Sequence, residues 1–302
     1  MNDEFGALVT ERRNPRSMRL DLMSTAEIVA LINDEDATVA PAVRAALPEI
    51  ARAVDLIAAR LRSGGRLFYV GAGTSGRVAM LDASEWPPTF GTEPGLVRAV
   101  VAGGASTAVT SAAPLEDDPE LGARDLAAHE PTPRDVVVGI AASGRTPYVM
   151  GALRKAREVG AATIAVCSNP APPMGDLADI AIVALTGPEV VTGSTRMKAG
   201  TAQKMILNML STAAMVRLGK VYSNLMVDMA PANEKLVERA RRIVSEAAGI
   251  STAQAARMLE AAGNHVKTAI VMAVLRCGPE EAKAALDRSG GLVRGALQAR
   301  RP

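Results

Sequence analysis

The chain has 302 residues, 48% of them hydrophobic and 22% charged, which suits a soluble globular fold of about two domains with a sizeable core. Lys and Arg total 34 against 32 Asp and Glu, and aromatic residues are limited to three Phe, three Tyr and one Trp. That balance excludes a basic footprint for nucleic acid or anionic membrane, and the few aromatics exclude a stacking platform for bases or sugars.

From the N-terminus, MNDEFGALVTERRN places acids and arginines where a secretory signal needs an apolar core. No stretch approaches the ~18 apolar residues of a membrane span, so the expectation is a cytoplasmic protein. Residues 1–40 read as a mixed, polar N-terminal segment. A helix is predicted over 41–62, where Val43, Leu47, Ile50, Val54, Ile57 and Leu61 recur every three or four positions. Strand RLFYV (66–70) follows, then the turn GAGTSGR (71–77) and a helix beginning at RVAMLDAS, which Pro87 and Pro88 are expected to end.

The alternation continues. Strands are predicted at 95–103, 135–143, 162–169 and 179–185, and helices at 118–129 and 148–160. Continuous Val/Ile runs separated by helices point to a doubly wound parallel α/β sheet covered on both faces. Arg196 to Leu218 reads as one long helix with Met197, Met205, Met209 and Met215 as core filling, and the chain is helical from Ala232 onward. No repeat period of 20–50 residues stands out. The resulting division is 1–40, a ligand-binding domain over 41–225, and a small all-helical module over 226–302.

Cys167 and Cys277 stand alone and His129 and His265 are the only histidines, so neither a zinc site nor a Ser-His-Asp triad has material to work with. No metal and no cofactor are expected. Chemistry falls to carboxylates, hydroxyls and backbone dipoles.

Five motifs hold such groups. GAGTSGR fits G-x-G-x-x-G superficially, but Thr74 and Ser75 at a helix start suit a phosphate monoester better than a dinucleotide; a plain capped turn is the alternative. ASGRTPY (142–148) repeats that logic with Ser143, Gly144 and Thr146 at a neighbouring strand end. In LDASEWPPTFG, Glu85 beside Trp86 and two prolines reads either as a partly desolvated acid or as a solvated surface residue. Glu116, Asp117 and Asp118 precede a helix, where acids commonly serve its N-terminus. Finally, the hydroxyls of GPEVVTGSTRMKAGTAQK (187–204), Ser194 among them, cluster with Lys198 either as a third pocket wall or as caps.

Taken together, YVGAGTSGRVAMLDASEWPPTFG, GIAASGRTPYV, EVVTGSTRMKAGTAQKMILNMLST and the later NLMVDM and NEKL blocks resemble the N-acetylmuramic acid 6-phosphate etherases, from TERRN (10–14) to the C-terminal helices. The resemblance implies a sugar isomerase (SIS) fold: a five-stranded parallel sheet flanked by helices, a small helical C-terminal module, and a homodimer. It implies release of D-lactate from the sugar phosphate by elimination and then hydration. It assigns Glu85 as the acid and Glu116 as the second catalytic carboxylate, with Thr74, Ser75, Ser143 and Thr146 matching phosphate-contacting loops. The block before Glu116 departs from the family pattern at Ala113 and Pro114, and Trp86 stands where cysteine is common. A sugar-phosphate isomerase and a non-catalytic sugar-phosphate sensor like the glucokinase regulatory protein are the alternatives.

Overall fold

The computed structural model describes residues 8–104, 115–229 and 234–298. Ala113 and Pro114, and the stretch joining the NLMVDM and NEKL blocks, lie outside the described residues. The chain divides into two compact units, Met1–Ala83 with Gly95–Ser211, and Ser84–Pro94 with Thr212–Pro302.

The first unit begins with helices that the composition of residues 1–40 concealed. α1 spans Thr25–Asp36 and opens on a capping box: Ser24 Oγ accepts from Glu27 N at 3.4 Å, and Ser24 N donates to Glu27 Oε2 at 2.8 Å. The helix predicted over 41–62 is two, α2 (Val39–Ala45) and α3 (Leu47–Arg62). Pro48 causes the break, since its ring would collide with the preceding turn anywhere but in the first turn of a new helix.

The sheet is built from β1 (Leu67–Gly71), β2 (Val97–Val101), β3 (Val136–Ile140), β4 (Ala162–Cys167) and β5 (Ile180–Val183). All four pairings are parallel and the order is β2-β1-β3-β4-β5. The connecting helices are α4 (Gly73–Phe90), α5 (Pro119–Ala127), α6 (Pro147–Glu158) and α7 (Lys198–Arg217). The predicted five-stranded, doubly wound architecture is thus present, with strands β1, β3 and β4 buried throughout.

Alternation along each strand feeds two helical layers. Phe68, Val70, Val137 and Ala165 pack with Leu126 of α5 and Val149 and Leu153 of α6. Tyr69 points the other way, and its hydroxyl donates to Asp82 of α4 at 2.9 Å. Asp82 in turn accepts from Ser211 of α7 at 3.0 Å. From β1 the chain runs outward to β2 and then returns to place β3 on the other flank. That reversal opens a crevice between the carboxyl ends of β1 and β3.

Two expectations about the long helices need correction. Pro87 and Pro88 do not end α4, which continues to Phe90. Trp86 and Phe90, one turn apart, are both buried, so their packing holds the last turn although the prolines remove two of its donors. In α7, Met215 is fully buried as expected of core filling, whereas Met205 and Met209, and Met197 just before the helix, are half-buried.

The second unit contains a two-stranded hairpin not anticipated from sequence, β6 (Val221–Tyr222) with β7 (Leu225–Met226), and, among the described residues, five helices that lie wholly within it. These are α8 (Glu234–Ala248), α9 (Thr252–Ala261), α10 (Val266–Leu275), α11 (Pro279–Arg288) and α12 (Val293–Gln298). Contrary to the expectation of no repeat, α9–α10 and α11–α12 are copies of one helix–turn–helix. Ala255, Leu259, Gly263, Val266 and Ala269 recur as Ala282, Leu286, Gly290, Val293 and Ala296, a constant offset of 27 residues. The Ala, Leu and Val members are buried in a common core, and both turns use consecutive residues of positive φ: 63° and 64° at Gly263 and Asn264, 64° and 79° at Gly290 and Gly291. Within this unit Asp228 accepts from Lys267 at 2.6 Å and from Lys220 at 3.0 Å.

Candidate functional site

β1 delivers the chain to Gly71 and α4 starts at Gly73, so the helix begins almost on the strand end. Gly71 and Gly76 permit this approach: a Cβ on Gly71 would stand 2.8 Å from Gly76 N, and one on Gly76 would stand 2.5 Å from the Val101 side chain. The glycines of GAGTSGR therefore serve close packing of a helix start, as the phosphate reading requires. Ser75 is nearly buried, and Thr74 Oγ1 accepts from Arg77 at 3.1 Å.

The second loop leaves β3 in the same direction. Ser143 Oγ accepts from Arg145 N at 3.2 Å, fixing the turn, and Gly144 adopts a φ of 71° that a side chain would resist. Thr146 is the N-cap residue of α6, yet its hydroxyl makes no capping hydrogen bond.

Between these loops lies a cavity of about 600 Å³ lined by Thr74, Ser75, Ser143, Thr146, Glu116 and Arg77, with Ala72–Gly73 and Ile140–Ala142 forming its floor and Thr195 and Glu11 its remaining wall. Five of the residues expected from sequence are thus brought together: Thr74, Ser75, Glu116, Ser143 and Thr146. Gly144 and Ser194 are chain neighbours of lining residues. Glu85 belongs to the segment grouped with the second unit, where it is exposed on α4 immediately before buried Trp86. The desolvation expected of it from Trp86 and the prolines is therefore not found.

Glu116 is positioned by its backbone. Its carbonyl accepts from Tyr148 N at 3.0 Å, one of the donors that the first turn of α6 leaves without a helical partner. The side chain reaches Gly73, where a Cβ would stand 3.2 Å from Oε1. Partial burial and the negative charge of Asp117 push the Glu116 carboxyl above its usual range, against an opposing pull from the Arg77 guanidinium. The capping role considered for this acidic cluster belongs to Asp118, whose Oδ1 accepts from Leu121 N at 2.9 Å. One short run of acids is divided between the cavity and a helix cap.

Lys198 does not join the cavity wall. Its ammonium is buried against Glu35 of α1 at 2.6 Å, and Glu35 also accepts from Arg16 at 3.1 Å. Glu189 caps the start of α7 with both oxygens, each 3.0 Å from the backbone N–H of Lys198 or Ala199. The wall-forming hydroxyl of that block is Thr195. Sequence reasoning also missed Glu11 and Arg77, although both stand inside quoted motifs, TERRN and GAGTSGR.

Of the other groups considered, Cys167 is buried and its thiol is pushed up to about 12 by burial. His265 caps α10, its Nδ1 accepting from Thr268 N at 3.3 Å, and the His129 ring lies 5.9 Å from that of Phe68. Among the described residues no group of three or more His, Cys, Asp or Glu could hold a metal ion. No helix among them is long and apolar enough to cross a membrane.

Two family models match this chain: the glucokinase regulatory protein N-terminal SIS domain over residues 49–157, and the SIS domain over 120–213. The chain is 60% identical over 268 residues to the N-acetylmuramic acid 6-phosphate etherase of Symbiobacterium thermophilum, covering 89% of both chains. It is 55% identical over 300 residues to that of Edwardsiella ictaluri, covering 99% of this chain and 100% of the relative. To that of Mycolicibacterium smegmatis it is 54% identical over 296 residues, covering 98% and 99%. Among solved structures, a phosphoheptose isomerase from Francisella tularensis superposes with a TM-score of 0.52 at 16% identity, over 64% of this chain and 100% of that one. The c3406 protein of E. coli CFT073 gives a TM-score of 0.50 at 16% identity, over 67% and 97%. At such identities these two likenesses establish the fold alone.

Proposed function

This chain belongs to the N-acetylmuramic acid 6-phosphate etherase family, and on that premise we propose that it works through two carboxylates, Glu116 as base and Glu85 as acid. The chain is an etherase acting on N-acetylmuramic acid 6-phosphate in cell-wall sugar recycling. The observation that carries the proposal is the cavity between the β1 and β3 strand ends, where Thr74, Ser75, Ser143 and Thr146 stand with Glu116. Hydroxyls and two helix starts suit a phosphate dianion, which anchors the sugar while a neighbouring carboxylate acts on its carbons.

An unactivated ether needs help, because its alkoxide is a poor leaving group. In the ring-opened sugar the C1 aldehyde acidifies the C2 proton. Glu116 removes that proton, the C3–O bond breaks, and Glu85 protonates the departing lactyl oxygen. D-lactate leaves behind a C2–C3 double bond conjugated to the aldehyde. Water then adds its oxygen at C3 while the Glu85 carboxylate takes its proton, and C2 regains a proton from Glu116, giving N-acetylglucosamine 6-phosphate. The upward displacement of Glu116 supports its part, since a more basic carboxylate is better matched to a carbon acid.

The proposal extends to lyase chemistry, a homodimer and a cytoplasmic setting. Exposed Met18, Leu22 and Val29 supply apolar surface of the kind a second copy covers, and light scattering on the purified chain tests the dimer. Phosphate monoesters are retained inside cells by their charge, which supports the location.

The deciding experiment is turnover in oxygen-18 water. Label at C3 of N-acetylglucosamine 6-phosphate together with unlabelled D-lactate is expected. Label in lactate overturns the elimination, and binding without lactate release favours a sensor. Glu85→Gln should abolish most lactate release while leaving sugar-phosphate binding within about threefold, because the amide keeps the shape but has no proton to give.

A further inference from the structure

The N-terminal segment is fastened to the cavity by a fully buried amide. Asn169, just past β4, uses Oδ1 to accept from Val9 N at 2.8 Å and Thr10 N at 3.4 Å. Its Nδ2 donates to Thr10 Oγ1 and to the carbonyl of Ala142, both at 3.0 Å, and Ala142 is part of the cavity floor. Thr10 and Asn14 are buried on either side of Glu11, and Asn14 donates to the Pro188 carbonyl at 3.4 Å. An anchorage this complete fixes the backbone of one residue between them, Glu11, which lines the cavity.

The segment just before Thr195 leaves room for that side chain. Gly193 holds a φ of 74°, and a Cβ there would stand 3.1 Å from Glu11 Oε2. No hydrogen bond or ion pair engages the Glu11 carboxylate among the described residues, and Arg77, the cation of the cavity, turns toward Thr74. A second carboxylate in an anion-binding cavity repels both the phosphate and the lactyl carboxylate of the substrate, so neither is what it meets. A carboxylate is acceptor-only when ionised. The groups of the substrate left for it are neutral donors.

We propose that Glu11 is a specificity-determining residue, accepting hydrogen bonds from hydroxyls of the sugar and so separating sugar phosphates from smaller phosphate monoesters held by the same loops. The inference rests on the sugar-phosphate reading of this cavity. Fixing Glu11 through buried Asn169 gives the hydrogen bonds their geometry, which a flexible terminal carboxylate would not.

The test compares two ligands in three proteins. Binding of N-acetylglucosamine 6-phosphate and of inorganic phosphate is measured by calorimetry for the wild type, Glu11→Gln and Glu11→Ala, with lactate release followed in parallel. Glu11→Ala is expected to weaken the sugar phosphate about ten- to hundredfold and to raise KM alike, with Glu11→Gln between. Inorganic phosphate should bind all three within about twofold, because it has no sugar hydroxyl to lose. Equal sugar-phosphate affinity in all three proteins overturns the proposal, as does a parallel change for both ligands. Since Glu11 is exposed, thermal midpoints should match the wild type. Failure of the etherase reading itself is separate: a wild type that releases no lactate sinks that reading, while the two-ligand comparison still decides the role of Glu11.

Discussion

The two ends of the parallel sheet treat their polar residues in opposite ways. At the amino ends of β1 and β3, Asp135 is buried and saturated: it accepts from Arg66 N at 2.7 Å, Arg66 Nη2 at 2.9 Å, Thr132 N at 2.7 Å and Thr132 Oγ1 at 3.1 Å. Asp179, although exposed, ties the start of β5 to β4, its Oδ2 accepting from Thr163 N at 2.8 Å and Thr163 Oγ1 at 3.1 Å. At the carboxyl ends, Ser75, Thr146 and Glu116 face a cavity without a side-chain hydrogen-bond partner among the described residues. A saturated buried carboxylate is held for structure, and an unsaturated one awaits a ligand. The same chain shows both because only the carboxyl ends of β1 and β3 diverge at a switch point.

The comparison predicts which property each substitution moves. The largest effect belongs to Glu116→Gln, which should lower kcat about 10²- to 10⁴-fold without lowering the thermal midpoint. The sign follows from its carboxyl being pushed up: the stability it contributes is present below its unfolded pKa and lost as pH rises through the folded one, so at neutral pH removing the charge does not destabilise. A drop in midpoint comparable to the kinetic loss would break the comparison.

Asp135→Asn should do the reverse, removing about 3 kcal/mol of unfolding free energy at neutral pH with KM unchanged. Burial pushes Asp135 up, but the bonds from Arg66 and Thr132 outweigh it and hold the carboxyl below its usual range. Its contribution is therefore present above the unfolded pKa and fades as pH falls through the folded one. Denaturant titrations of the two proteins should accordingly converge in acid. If the gap stays constant with pH, the charge is not what matters there.

Ser75→Ala is expected to weaken inorganic phosphate and sugar phosphate equally, by about 1.5–3 kcal/mol, the worth of a hydrogen bond to a charged group. Calorimetry showing no change would remove Ser75 from the phosphate subsite. Smallest of all are the shifts of the acid limb of kcat/KM. Asp117→Asn should move it to lower pH and Arg77→Ala to higher pH, because the first charge raises the Glu116 carboxyl and the second lowers it. Opposite or absent shifts would show that another group sets that limb.

Much of this was legible in the sequence because it depends on periodicity and adjacency. Each strand of the sheet announced itself by a short apolar run, Val/Ile-rich in all but β1, and GAGTSGR and ASGRTPY marked the strand-to-helix turns where hydroxyls gather. The fold class and the residues of both loops need nothing beyond such local patterns. α1 was not read from the sequence, because the polar composition of 1–40 hid the capping box of Ser24 and Glu27.

What only the tertiary structure decided concerns partners far apart in the chain. That Lys198 turns to Glu35 and not to the cavity depends on a pairing across 163 positions, and nothing near Lys198 encodes it. The division of 116–118 into a cavity carboxylate and a cap depends on where α6 presents the Tyr148 N–H, which has no helical partner and donates to the Glu116 carbonyl. α4 runs through Pro87 and Pro88 because burial of Trp86 and Phe90 outweighs a local preference to stop. Glu11 reaches the cavity through Asn169, 160 positions from the Val9 it holds. Local preferences are fixed by a residue and its neighbours, whereas charge pairing and burial are fixed by whatever the fold brings alongside, and the chemistry of this protein depends on the second.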